Sequence, residues 1–264
     1  DYLSGVSLGR VTYETFPLTA ENDFLPDLDA IPEETARRAK FIYINYPNNP
    51  TGAVATKAFY EKLVAWAKTY EVGVVSDLAY GALGYQGYEN PSFLSTPGAK
   101  DVGIEFYTFS KTFNMAGWRL AFAAGNDQMI EALNLIQDHL FVGIFPALQE
   151  AGIAALLDPK SEEAVAQLNA TYDSRRDAFV QAAAKIGWQA FPSRGSFYAW
   201  MPVPEGYTSE SFADLLLEKA HVAVAPGKGF GPAGDAYVRI GLLVEPERLV
   251  EAVNRIANLH LFNN

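Results

Sequence analysis

Four short stretches carry side chains that could do chemistry together. The first is Asn48-Asn49-Pro50-Thr51-Gly52. Asn, Pro and Gly are what a tight turn requires. The stretch therefore reads either as a plain turn or as a turn that points the Asn49 amide at a ligand. The second is Asp77, two residues after the apolar Val74-Val75 pair, with Tyr80 three residues on. A carboxylate at the end of an apolar run costs free energy unless it is paired or hydrogen-bonded. It reads as a cap or local ion pair, or as an acid facing a cationic ligand atom with a phenol beside it.

The third stretch is Thr108-Phe109-Ser110-Lys111, continuing to Arg119. Lys prefers solvent, so a Lys directly after an apolar run is unusual. Either it is a surface charge at a strand end, or it is held in partly apolar surroundings. There an amine gives up its proton more easily and can attack a carbonyl. Arg119 offers a planar fork suited to phosphate or carboxylate. The fourth is Arg239, alone between Val238 and Ile240. Strand alternation places it on the face opposite its neighbours, where it either pairs with a buried acid or binds an anionic ligand.

Other polar stretches carry less. Gly227-Lys228-Gly229-Phe230-Gly231 has the glycines of a phosphate loop but lacks the Walker pattern, so it reads as a plain loop. Arg175-Arg176 reads as a solvated or salt-bridged helix face. His139, His221 and His260 are too far apart for a metal-ligand motif. Ser196 has no Gly-x-Ser-x-Gly context.

The elements that must position these residues can be read from hydrophobic period. Lys40–Tyr46 reads as a buried strand stopped by Pro47, Val72–Ser76 as a second, Ile104–Phe109 as a third and Trp118–Ala124 as a fourth. Thr56 can cap a helix whose Phe59, Leu63, Trp66, Ala67 and Tyr70 share one face, and Asn126 can cap another that runs toward Leu140. Strands alternating with helices predict an α/β layer with a mostly parallel sheet. In such sheets ligands sit at the carboxyl ends of the strands, where Asn49, Asp77 and Lys111 fall. Further helical stretches run from Pro146 to Leu157 and from Ser161 to Lys185. Beyond them, Trp188–Phe191, Phe197–Met201, Val222–Ala225 and Tyr237–Leu243 read as strands, and Ser209–Lys219 and Pro246–Leu259 as helices. The expected division is a cofactor-sized domain over residues 1–160 and a smaller α+β domain over 161–264, with the long helix as bridge.

Composition narrows the function classes. Twenty basic against 31 acidic residues give a net charge of −11. No basic face is available to neutralise phosphates, which argues against a nucleic-acid partner and against anionic membranes. No apolar run reaches the length of a membrane-spanning helix. The absence of Cys excludes disulfides and a thiolate nucleophile, and fits a reducing, cytoplasmic compartment. The first ten residues contain neither a signal-peptide core nor an initiator Met. The expectation is a processed chain or a piece of a longer one.

Taken together, NNPTG at 48–52, Asp77-Leu78-Ala79-Tyr80, SKTFNMAGWR at 110–119 and YVRIGLL at 237–243 resemble the class I/II aminotransferases, fold type I pyridoxal-phosphate enzymes. No single motif is decisive; the four in this order, at family-like separations, are specific. The resemblance implies a large domain with a mostly parallel sheet plus a smaller C-terminal domain, with the N-terminal part of the family domain missing. It implies pyridoxal 5'-phosphate as cofactor and Lys111 as the Schiff-base lysine. Asp77 would pair with the pyridine nitrogen, and Tyr80 and Asn49 would hydrogen-bond the 3'-oxygen. Arg119 would clamp the phosphate, with Thr108 at the phosphate-binding hydroxyl position and Ser110 a further contact. Arg239 would hold the substrate α-carboxylate.

The expected partners are an amino acid, a 2-oxo acid and a second copy of the chain in a homodimer. The family's phosphate loop and its ring-stacking aromatic would lie upstream of Asp1. The expected reaction is amino transfer. A carbon–sulfur lyase or decarboxylase could use the same residues, and a non-catalytic ligand-sensing domain is the rival from another class.

Overall fold

The computed structural model describes residues 2–262. Its first sheet has the order β1 (Phe41–Asn45), β2 (Gly73–Asp77), β3 (Gly103–Thr108), β4 (Ala121–Gly125). The first three strands are parallel and the fourth is antiparallel. Asn45 lies beside Asp77, and Asp77 beside Phe106, two residues before Thr108. The register thus brings the carboxyl ends of three strands to one edge of the layer. β2 is buried along its apolar centre, as a central parallel strand must be. β1 is not the uniformly buried strand that its composition suggests. Ile42 and Ile44 enter the core, while Phe41 and Tyr43 on the other face are about half exposed.

The helix Lys57–Tyr70 starts at Thr56, whose Oγ1 accepts from the Phe59 amide at 3.1 Å, and ends where Glu71 turns left-handed. Its apolar face, with Phe59, Leu63 and Ala67, packs with Ile42, Ile44 and Val74. Asn126 caps the helix Asp127–Leu140 in the same way, through the Met129 amide. Helices Pro146–Leu157 and Ser161–Lys185 follow, with Asp158-Pro159 between them.

The second sheet is antiparallel, with β5 (Tyr198–Pro202), β6 (Ala225–Pro226) and β7 (Tyr237–Gly241) in the order β5-β7-β6. Its core joins Phe179 from the long helix to Trp188, Met201, Phe212, Val238, Leu242 and Val253. Two expected strands are corrected. Trp188–Phe191 is irregular, and of Val222–Ala225 only Ala225 pairs with β7. Both segments are apolar because they fill the core, and burial does not require a ladder. Trp188, for example, is buried and satisfies its indole by donating to the Pro202 carbonyl at 2.7 Å.

The two sheets are pinned together beside the strand ends. The amides of Arg194 and Gly195 and the Ser193 hydroxyl all donate to the Gly52 carbonyl, each at 3.2 Å. Gly195 also bridges to Gly84. Gly52 has φ +70°, and a Cβ there would run into the Ser193 side chain, so both the conformation and the space call for glycine.

Candidate active site

The loop after β1 divides its polar work. Asn48 accepts from the Thr51 amide at 3.1 Å and from the Thr51 hydroxyl at 2.8 Å, which closes the turn. Asn45 accepts from the Asn49 amide at 2.9 Å, and its own amide donates to the Asp77 carbonyl at 3.0 Å. The Asn49 side chain is thereby left free of the turn. Its Oδ1 accepts from Arg239 Nη1 at 2.7 Å, across 190 residues of sequence.

Asp77 ends β2. One carboxylate oxygen accepts from the Ala79 amide at 3.0 Å and the other from the Tyr2 hydroxyl at 2.5 Å. Among the described residues Asp77 forms no ion pair; its carboxylate caps the turn and takes a phenol donor. Tyr80, three residues on, is buried. Its ring meets Phe197 edge-on at 5.3 Å and Tyr198 at 6.1 Å. Burial pushes the Tyr80 phenol well above its ordinary range. Tyr198 and Asp77 add to the rise and Arg239 opposes it. The group is therefore a hydrogen-bond donor at any ordinary pH.

Lys111 stands in the single helical turn Phe109–Thr112 that follows β3. Thr108 caps that turn by accepting from the Ser110 amide at 3.2 Å. Its hydroxyl lies 3.0 Å from the Ser110 hydroxyl and 3.3 Å from the Leu120 carbonyl. The Lys111 ammonium lies 5.5 Å from the Phe197 ring centre, and among the described residues it pairs with no acid. Phe197 thus joins Lys111 to Tyr80. Arg119 is not tied into this group. It is exposed, sits in a left-handed conformation and donates to the Ala116 carbonyl at 3.2 Å.

Arg239 emerges from β7 between buried Val238 and Ile240, on the opposite face, as alternation requires. No buried acid meets it among the described residues. Its partners are Asn49 and two rings, Tyr198 at 4.1 Å and Phe230 at 4.7 Å. The structure thus connects Asn49, Arg239, Tyr198, Tyr80, Phe197 and Lys111 in one run of contacts, and links Asn49 through Asn45 to Asp77.

Tyr2, Phe197, Tyr198 and Phe230 belong to this cluster and carry no sequence signal of their own. Phe197 and Tyr198 read as ordinary strand aromatics, and Phe230 sits in the stretch that read as a plain glycine loop. In that loop Lys228 pairs with Glu210 at 2.7 Å. Arg175 pairs with Glu245 at 2.7 Å, and Arg176 pairs with Asp177 while lying 4.4 Å from the Tyr85 ring centre. No described cluster of His and acidic residues could hold a metal, and no described helix is long and apolar enough to cross a membrane. A cavity of about 520 Å³ opens between residues 14 and 35, and none of the expected site residues lines it.

Comparison with known proteins gives consistent relatives. The model of the family "Aminotransferase class I and II" matches residues 1–256. The L-glutamine–4-(methylsulfanyl)-2-oxobutanoate aminotransferase of Bacillus subtilis is 56% identical over 99% of this chain and 65% of its own length. The LL-diaminopimelate aminotransferase of Moorella thermoacetica is 50% identical over 91% of this chain and 61% of its own. The chain therefore spans somewhat less than two thirds of these curated relatives. Among solved structures, apo-BacF of Bacillus subtilis superposes with a TM-score of 0.94 at 45% identity, covering 100% of this chain and 67% of that one. An aminotransferase from Staphylococcus aureus gives 0.94 at 39% identity, covering 100% and 69%.

Proposed function

The chain belongs to the class I and II aminotransferase family, and on that premise we propose that it carries the amino-transfer centre of a pyridoxal 5'-phosphate enzyme. The cofactor supplies a carbonyl that condenses with amines and a ring that draws electrons from a substrate carbon. The donor set fits that group. It offers an amine that meets no acid among the described residues on Lys111, a carboxylate on Asp77, an amide on Asn49 and a protonated phenol on Tyr80.

Each residue then has one task. Lys111 moves the proton of the substrate α-carbon, as general base and then as general acid. The Phe197 ring beside its ammonium also touches Tyr80, which keeps the amine next to that phenol. Asp77 holds a proton at the pyridine nitrogen, and Tyr80 and Asn49 donate to the 3'-oxygen. Thr108, Ser110 and Arg119 are assigned to the phosphate. Arg239 holds the α-carboxylate of the amino acid or 2-oxo acid. The observation that carries this reading is the 2.7 Å bond from Arg239 to Asn49. It sets the Arg239 guanidinium of the second sheet against the loop that follows β1, inside the ring cluster shared with Lys111. We carry with it a homodimer, a cytoplasmic location and a division at residue 160 into a cofactor domain and a smaller domain.

The test is amino exchange by the full-length protein. L-Glutamine with 4-(methylsulfanyl)-2-oxobutanoate, and LL-diaminopimelate with a 2-oxo acid, are the pairs to try, since the relatives are named for those compounds. At least one pair should exchange, and Lys111→Ala should lower the rate by about a hundredfold or more. Undiminished turnover by Lys111→Ala would overturn the assignment.

A further inference from the structure

The surroundings of Arg239 say more than that it is a cation. A guanidinium is flat, and its five N–H donors lie in its plane. One of them is spent on Asn49. The rings of Tyr198 and Phe230 lie against the group, with centres 4.1 and 4.7 Å from its central carbon. They come from the two sides of β7. Tyr198 opens β5, the neighbour on one side, and Phe230 ends the turn that follows β6, the neighbour on the other. Trp200 meets the Phe230 ring edge-on at 6.0 Å and backs it. Among the described residues no other hydrogen bond engages the guanidinium, which leaves its remaining in-plane N–H donors for a ligand.

That slot has a chemical preference. A carboxylate is planar, so both of its oxygens can take parallel N–H bonds in the guanidinium plane. A sulfonate or phosphonate is tetrahedral and must carry an oxygen out of that plane. There it meets the face of an aromatic ring, which is electron-rich and repels an anionic oxygen. We propose that Tyr198 and Phe230 form an aromatic slot that restricts Arg239 to planar carboxylates and rejects tetrahedral oxyanions, with Phe230 as the specificity-determining wall. Phe230 suits this role because it is 40% exposed and belongs to no packed core. The inference rests on the reading of Arg239 as the carboxylate site.

The test uses two unreactive probes of equal charge and similar length, 3-phenylpropionate and 2-phenylethanesulfonate. Their binding to the full-length protein is measured by calorimetry, so no turnover is needed. The wild type should prefer the carboxylate by at least about tenfold. Phe230→Ala, or Phe230→Val if the alanine variant folds poorly, should shrink that preference by about fivefold or more. Phe230→Trp, which keeps a flat ring, should retain it. A merely structural Phe230 would weaken both probes equally and leave the ratio intact. An unchanged ratio in the alanine or valine variant overturns the slot. Failure of the wild type to bind either probe overturns instead the carboxylate reading of Arg239 on which the slot depends.

Discussion

Asp77 carries two hydrogen bonds that hold its carboxylate in place, and the two do different work. The Ala79 amide fixes the turn; the Tyr2 hydroxyl, from the far end of the chain, fixes the remaining oxygen. Hydrogen bonds to charged groups are worth about 1.5–3 kcal/mol, and less where water competes. Tyr2→Phe should therefore weaken cofactor retention by the full-length protein by about fivefold to tenfold. The melting temperature should move little, because Tyr2 is exposed and fills no core. Fluorescence titration with pyridoxal phosphate checks this, and unchanged affinity would show that the phenol does not orient Asp77.

At this scale the sequence is informative only where a strand end flags an odd residue. Asn49, Asp77, Lys111 and Arg239 stand out because Pro47, the Val74-Val75 pair and the Val238/Ile240 flanks mark where an apolar run meets a polar side chain. Tyr2 and Phe230 carry no such mark. Their importance arises from neighbours 75 and 9 residues away in sequence, Asp77 and Arg239, that only the fold brings close.

Between strand and loop, Glu105 shows how an element carries a buried charge. It lies in β3, where its carboxylate accepts from the Ser76 hydroxyl at 3.0 Å, the Ser92 hydroxyl at 2.5 Å and the Phe93 amide at 2.8 Å. These bonds tie the turn at 93–95 to the sheet. Burial nevertheless outweighs them and raises the Glu105 carboxyl above its ordinary range. A carboxyl with a raised folded-state pKa adds stability that is full below its unfolded value and is lost as pH rises through the folded value. Stability should thus decline as pH rises above the ordinary carboxylate range and the folded-state Glu105 ionises. Glu105→Gln should flatten that decline in thermal melts, and an unaltered slope would contradict the account.

Thr56 gives a plainer element-scale prediction. It caps Lys57–Tyr70 through one side-chain bond, so Thr56→Ala should cost about 1 kcal/mol in chemical unfolding; no change would mean that the cap is idle. The caps and parallel strands were legible because local chemistry fixes them. The supposed strands at 188–191 and 222–224 were misread because apolar composition reports burial, and burial alone does not specify a ladder.

Across the whole molecule the site depends on the two sheets being held at one distance. The junction is narrow: the 193–196 segment folds onto the Gly52 carbonyl, and Trp200 of β5 enters the first sheet's apolar cluster. Gly52→Ala meets both a left-handed backbone and the Ser193 side chain. It should destabilise by about 2–4 kcal/mol. It should also weaken ligands at Arg239, because Asn49 sits in the same loop. Wild-type stability in this variant would mean that the junction is slack. The α/β class and its mostly parallel sheet were readable from the alternation of strands and helices. The junction was not, since two of the three donors to the Gly52 carbonyl are the backbone amides of Arg194 and Gly195, which any sequence possesses.

The central claim is that Lys111 is the residue that takes the cofactor. The direct measurement is to load the full-length protein with pyridoxal phosphate, reduce it with borohydride and map the labelled peptide by mass spectrometry. A single pyridoxyl adduct on Lys111, absent in Lys111→Ala, is the predicted result. Labelling scattered over surface lysines, or confined to another lysine, would contradict it.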